Sequence, residues 1–181
     1  MLLDLTKNYF ELFDLPMAYP IDMHTLSERY RQWQGLVHPD RHINGLDATH
    51  KIALQNASYV NQAYLTLKDP LLRADYLLGL QTQGKVDEQS MTEVIQTPEF
   101  LLEQMEFREE LESVSNHKNA PEKLESLRYD VIERQNSLFE NLKLYFERKE
   151  LRNVALSVQK LQYFKKLLEE IKVLQFKLED Q

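Results

Sequence analysis

Apolar residues recur along this chain with a helical period over most of its length. Between Asp22 and Val37 they fall at Leu26, Tyr30, Trp33 and Val37, and from about Asp47 to Lys68 at Ile52, Tyr59, Val60, Ala63 and Leu67. Each spacing draws a stripe down one face of a helix, and that face must be buried. Upstream, Tyr9, Phe10, Phe13 and Leu15 predict a short first helix ending near Pro16, and Asp22 is placed to cap the second. Beyond Asp69-Pro70 a fourth, short helix carries Leu71, Leu72, Tyr76, Leu77 and Leu78 and is expected to stop at Gly79. The polar stretch Gln81 to Ser90, with Gly84, reads as a linker, which extends over residues 80–96. Thr97 as N-cap with Pro98 at the first helical position then opens a helix running to about Ser115. After a polar loop, Asn116 to Ala120, one helix is predicted from near Pro121 to Arg148 and another from Leu151 to Leu178. Long helices with short connections pack as antiparallel neighbours, so this half reads as a three-helix bundle. The expectation is an all-α chain with a helical module over 8–79 and a bundle over 97–181.

Composition narrows the possible functions. The chain has 181 residues, only 4 Gly and 6 Pro, and no cysteine. Thiolate zinc sites, disulfides and directly ligated iron–sulfur clusters are therefore excluded, and the cytoplasm is the default compartment. No apolar run reaches the roughly 18 residues that a spanning helix needs, so no membrane partner is expected. The start, MLLDLTKNYF, holds Asp4 within its apolar stretch and lacks a basic segment before it, unlike a secretory signal. A net charge of −7 argues against nucleic acid, which is held by a clustered basic surface.

The tripeptide His38-Pro39-Asp40 stands between the second and third helices. Pro39 fixes its own φ and biases His38 out of the helical region, so the second helix should end near Val37. The tripeptide then lies at the exposed tip of a helical hairpin, followed by the turn signal Asn44-Gly45. An imidazole and a carboxylate on a stiffened tip, with no cavity around them, suit recognition rather than catalysis. On the preceding helix, Arg29 and Arg31 form a thin basic face that Glu28 dilutes, with Arg41 and Lys51 nearer the tip. Those arginines serve either as a steering surface for an acidic partner or as an ordinary solvated face.

A second surface comes from the helix opened by Pro98. At about 100° per residue, Phe100, Phe107, Leu111 and Val114 share one side and can join the bundle core. Leu101, Leu102 and Met105 point elsewhere, beside Glu106 and Glu109. A cluster of exposed apolar side chains marks an interaction site, and methionine adapts to a partner's shape. On the last helix Leu151, Val154, Val158, Leu161 and Leu168 form the core stripe, and Tyr163 is expected to face away from it. Packing against the first module, or pairing with a second copy, are the other uses open to this patch.

The helix–tip–helix arrangement around His38-Pro39-Asp40 resembles the J-domain of DnaJ-type co-chaperones. The segments VNQAYLTLKDPLLRADYLLGL (Val60 to Leu80) and EFLLEQMEFREEL (Glu99 to Leu111) are similar to the HscB family of iron–sulfur co-chaperones. The likeness spans about Asn8 to Phe176. It implies a J-domain over 8–79 that stimulates ATP hydrolysis by a DnaK-type chaperone, HscA, through His38, Pro39 and Asp40. It also implies a C-terminal face that binds the iron–sulfur scaffold IscU through Leu101, Leu102, Met105, Glu106, Glu109 and Tyr163. A J-protein serving a general DnaK-type chaperone with a different client is the alternative.

Other groupings suggest chemistry without carrying it. His38 and His42 have i, i+4 spacing, but Pro39 breaks any helix between them and no Glu follows His38. His24, His50 and His117 have no recognisable ligand partners and read as surface or cap residues. No glycine-rich phosphate loop and no nucleophile–base spacing is present. The chain is expected to be no enzyme and to hold no cofactor or metal.

Overall fold

The computed structural model describes residues 3–37, 47–82, 97–114 and 119–179, without the side chains of 47–50. Its helices are α1 (Tyr9–Leu12), α2 (Met23–Val37), α3 (Asp47–Lys68), α4 (Pro70–Thr82), α5 (Pro98–Val114), α6 (Ala120–Glu147) and α7 (Leu151–Glu179). No strand occurs among the described residues, so the chain is all-α as expected. Its contacts divide it into two compact units, Met1–Leu77 and Leu78–Gln181.

In the N-terminal unit, local capping sets most boundaries. Asn8 and Glu11 form a reciprocal capping box at α1, with side-chain to backbone contacts of 3.0 and 2.9 Å. α1 ends at Leu12, a full turn before the expected limit near Pro16. Pro16 disfavours a helical Leu15, and the reversal is made just before it: Asp14 takes φ 50° and the Leu15 N–H donates to the Phe10 carbonyl at 2.9 Å. Asp22 caps α2 as predicted. Its carboxylate accepts from the Thr25 hydroxyl at 2.6 Å and the His24 N–H at 2.9 Å, and these bonds hold its pKa below the usual carboxylate value. α2 and α3 run antiparallel, with the Tyr30 ring stacked on Tyr64 at 3.9 Å and the Tyr30 hydroxyl on Asn61 at 2.8 Å.

The register of α3 differs from the expected one. Ala53, Val60, Ala63 and Leu67 are buried, whereas Ile52 is 46% exposed. Ile52 lies about 80° around the helix from Val60, while Ala53 lies within about 20° of it. Two alanines thus lie on the buried face of α3. Asp69 ends α3 and caps α4 at once, its Oδ1 accepting from the Leu71 and Leu72 N–H groups at 2.8 and 3.0 Å. α4 does not stop at Gly79 but continues to Thr82, so residues 80–82, expected in the linker, are helical. Gly79 has ordinary helical backbone and a Cβ there would touch nothing within 4 Å, so the glycine lowers helix propensity without ending the helix. The remainder of the expected linker lies outside the described residues.

In the C-terminal unit, Thr97 and Pro98 start α5 as expected, with the Thr97 carbonyl accepting from Phe100 and Leu101 at 3.0 and 3.1 Å. α6 and α7 form an antiparallel hairpin over a core of Phe107, Val114, Ala120, Leu124, Leu127, Val131, Phe164, Leu167 and Ile171. The turn between them carries Lys149 at φ 57°, closed by the Glu150 N–H on the Tyr145 carbonyl at 2.9 Å. A lysine in this left-handed region costs about 1–2 kcal/mol, partly offset by its smaller unfolded-state freedom than glycine. Lys149→Gly should therefore stabilise the bundle by about 0.5–1 kcal/mol and raise its thermal midpoint by a few degrees. An unchanged or lowered midpoint in a circular-dichroism melt would show that the left-handed backbone is not strained.

Candidate functional site

α5 presents two faces built by one helical repeat. Phe100 and Phe107 are buried and Leu111 is half-buried, which seats α5 on the other two helices. Leu101, Leu102 and Met105 remain 43%, 57% and 58% exposed, so the helix leaves three large apolar side chains in water. Glu106 and Glu109 are exposed beside them. On the flank towards α6, Glu106 also borders an acidic groove of about 310 Å³ lined with Glu103, Phe107, Glu110, Asp130, Glu133 and Arg134. The surface thus combines an exposed apolar patch with a cluster of carboxylates.

Tyr163 does not face away from the core as expected. It is half-buried, packs edge-on against Phe100 with ring centroids 5.7 Å apart, and lies 5.4 Å from Phe164. Its hydroxyl donates to the Gln104 carbonyl at 3.2 Å, and burial raises its pKa above the usual tyrosine value. The predicted stripe on α7 allowed for one packing direction, but α7 touches both α5 and α6. Its buried arc therefore widens to take in Phe164, Leu167 and Ile171, with Tyr163 at the edge. Tyr163 thus fastens α5 to α7.

Ion pairs that sequence reasoning missed do the same. Arg108 makes a bidentate pair with Glu170, the longer contact being 3.1 Å. Glu103, only 20% exposed, lies 3.6 Å from both Arg134 on α6 and Lys160 on α7. Lys160 in turn sits 4.8 Å from the centre of the Phe100 ring. No sequence spacing could have paired residues this far apart in the chain.

In the N-terminal unit, His38, Pro39, Asp40, Arg41 and His42 and the side chain of His50 lie outside the described residues, as does His117 in the C-terminal unit. The basic face of α2 is described. Arg31 is exposed, whereas Arg29 donates to Asp14 at 3.2 Å and so is partly neutralised. His24 is exposed at the start of α2, a surface position as expected, with its Nδ1 3.8 Å from the Glu28 carboxylate one turn on. Leu12 also takes part here, its carbonyl accepting from the Trp33 indole at 3.0 Å. Sequence reasoning also missed Arg73. Its guanidinium is buried, donates to the Leu67 carbonyl at 2.6 Å and lies 5.2 Å from the Tyr19 ring.

Comparison with known proteins decides the family. A sequence model described as "HSCB C-terminal oligomerisation domain" matches residues 96–172. The co-chaperone protein HscB homolog of Vibrio cholerae serotype O1 is 37% identical over 174 residues, covering 96% of this chain and 98% of that protein. This chain belongs to the HscB co-chaperone family. The HscB homolog of Shewanella denitrificans is 35% identical over 91% of this chain and 94% of its own length. Among solved structures, the chaperone HscB from Vibrio cholerae superposes with a TM-score of 0.81 at 35% identity, over 95% of this chain and 99% of that one. The human co-chaperone HscB gives a TM-score of 0.82 at 29% identity, over 94% of this chain and 83% of that one. The all-α architecture of an N-terminal J-domain and a C-terminal helical bundle is thus that of the family. No described helix is long and apolar enough to cross a membrane.

Proposed function

We propose that this HscB-family chain is a cytoplasmic J-domain co-chaperone that stimulates ATP hydrolysis by the DnaK-type chaperone HscA and delivers the iron–sulfur scaffold IscU to it. The J-domain spans 8–79, a linker covers 80–96 and the scaffold-binding bundle spans 97–181. His38, Pro39 and Asp40 engage the chaperone, Asp40 by accepting a charge-assisted bond from a basic side chain. Arg31 and Arg41 add electrostatic attraction, and Arg29 adds less because Asp14 already holds it. Leu101, Leu102, Met105, Glu106 and Glu109 contact the scaffold, and Tyr163 holds α5 in place for them.

The observation that carries this reading is the exposed Leu101, Leu102 and Met105 cluster on a helix whose Phe100, Phe107 and Val114 are buried in the bundle. A folded chain leaves such a patch open for a partner. The chain contributes no catalytic group. It acts by joining two partners, which raises the scaffold's effective concentration at the chaperone, and by favouring one conformation of the chaperone. Iron–sulfur chemistry stays with the scaffold, in keeping with a chain that has no cysteine.

The test is steady-state ATP hydrolysis by HscA, with and without this chain and IscU. Stimulation by the chain, synergy with IscU, and loss of both in Asp40→Asn are expected. Stimulation of HscA or DnaK without synergy would transfer the chain to the service of a general chaperone and another client. No stimulation of either chaperone refutes the proposal.

A further inference from the structure

Arg73 is a buried cation with one donor left over. Its side chain is 9% exposed, and burial pushes the guanidinium's pKa below its ordinary value. Nη1 donates to the Leu67 carbonyl at 2.6 Å, and the Tyr19 ring covers the group with its centre 5.2 Å away. Nε is buried and has no acceptor among the described residues. No carboxylate forms an ion pair with Arg73 among them either. Asp69 attracts it from further off, but the Asp69 Oδ1 is engaged in capping α4. A charged donor left unmade in the interior is costly, so the site lacks one strong acceptor.

The remaining neighbour is a sulfur. Nη1 also lies 3.7 Å from Met23 Sδ, and a thioether is only a weak acceptor. Met23 stands in the first turn of α2 and is 39% exposed, so a small oxidant reaches it from solvent. Met17 and Met105 are more exposed, at 53% and 58%, but no donor meets their sulfurs among the described residues.

We propose that Met23 is a methionine-sulfoxide site, at which a peroxide-class oxidant supplies the acceptor that Arg73 lacks and thereby tightens the N-terminal unit. The sulfur gives a lone pair to one peroxide oxygen. An S–O bond forms as the O–O bond breaks, and the second oxygen leaves as water with both protons. Sulfur loses two electrons, the peroxide gains them, and a methionine sulfoxide reductase restores the thioether. The sulfoxide oxygen accepts a charge-assisted bond from the guanidinium. Oxidation ordinarily weakens packing by making an apolar side chain polar. Met23 already reaches the surface, so little apolar burial is lost, and the gain is a bond from a buried cation. That bond ties the start of α2 to Arg73 on α4, which itself holds the Leu67 carbonyl of α3.

The test uses the full chain carrying Met17→Leu, Met91→Leu and Met105→Leu, which conserve volume. It is treated with hydrogen peroxide, the sulfoxide is located by peptide mass spectrometry, and the unit's stability is read from the Trp33 fluorescence melt. Oxidation at Met23 should raise the Trp33 midpoint by about 4 °C. Methionine sulfoxide reductase should return it, and adding Met23→Leu should abolish the response. Met23→Gln, which offers an amide oxygen at similar reach, should raise the midpoint without peroxide. The same substitution beside Arg73→Met should gain nothing; if Arg73→Met does not fold, the peroxide and Met23→Leu comparison decides. A Met23 that stays reduced under peroxide that oxidises Met17 in the unsubstituted chain overturns the proposal. So does a Met23 sulfoxide that lowers the midpoint or leaves it unchanged, or a Met23→Gln gain that persists without Arg73.

Discussion

Replacing Leu102 and Met105 together by alanine is expected to weaken scaffold binding about a hundredfold while leaving ATPase stimulation without scaffold unchanged. Each side chain is more than half exposed, so the fold loses little when it is shortened. In a complex, both would enter the apolar centre of the interface. Truncating such centres costs about 1–2 kcal/mol each, and two together approach the 2.7 kcal/mol that corresponds to a hundredfold. Glu106 and Glu109 sit at the rim and should govern salt dependence and on-rate more than residence time. Titration calorimetry against IscU gives the affinity, and HscA turnover in the absence of IscU gives the control. Unchanged affinity in the double variant would remove the scaffold from this face of α5. Loss of both readouts would mean that the substitutions disturb the chain as a whole.

Phe164→Ala should unfold the C-terminal unit more than any change at the surface. Phe164 is 1% exposed and lies edge-to-face with Phe107 at 5.6 Å and Phe100 at 6.5 Å. It is therefore the residue through which α7 grips both aromatic anchors of α5. Removing a buried phenyl ring costs about 3–5 kcal/mol through lost transfer energy and the cavity left behind. For a unit of this size that corresponds to a fall in midpoint of roughly 15–25 °C. Scaffold binding should fall with it, because α5 loses its seat. The chain has one tryptophan, Trp33, in the other unit, so its fluorescence reports the J-domain separately. The expected result is an early circular-dichroism transition with a smaller shift in the Trp33 transition. A loss below about 1 kcal/mol would show that the bundle repacks around the gap.

Both variants act on α5, and both faces of that helix are legible in the amino-acid sequence. The spacing of Phe100, Phe107, Leu111 and Val114 leaves Leu101, Leu102 and Met105 without a place in the core, and they are exposed. His38-Pro39-Asp40 is legible as a motif and by its position, although it lies outside the described residues. What supports the α5 face is not legible. Tyr163 on Gln104, Arg108 on Glu170, and Glu103 between Arg134 and Lys160 join residues distant in sequence. No local period specifies such pairs.

The sequence alone determined the helical class and most helix limits, because caps and periodicity act over three or four residues. Asp22, Asp69 and Thr97-Pro98 mark starts that the structure keeps. Tertiary structure decided how wide each buried arc is and which residue leads it. Ala53, not Ile52, lies in line with Val60 on the buried face of α3, so Ile52 stays exposed. Tyr163 turned inward because α7 has two neighbours rather than one. Gly79 stayed helical because a glycine ends a helix only where the following chain turns back, and there α4 continues to Thr82. Arg73 entered the core because the Leu67 carbonyl and the Tyr19 ring together accommodate its charge. Neighbours set these outcomes, and the physical reason is that a helix specifies the direction of its side chains while packing decides which directions are covered.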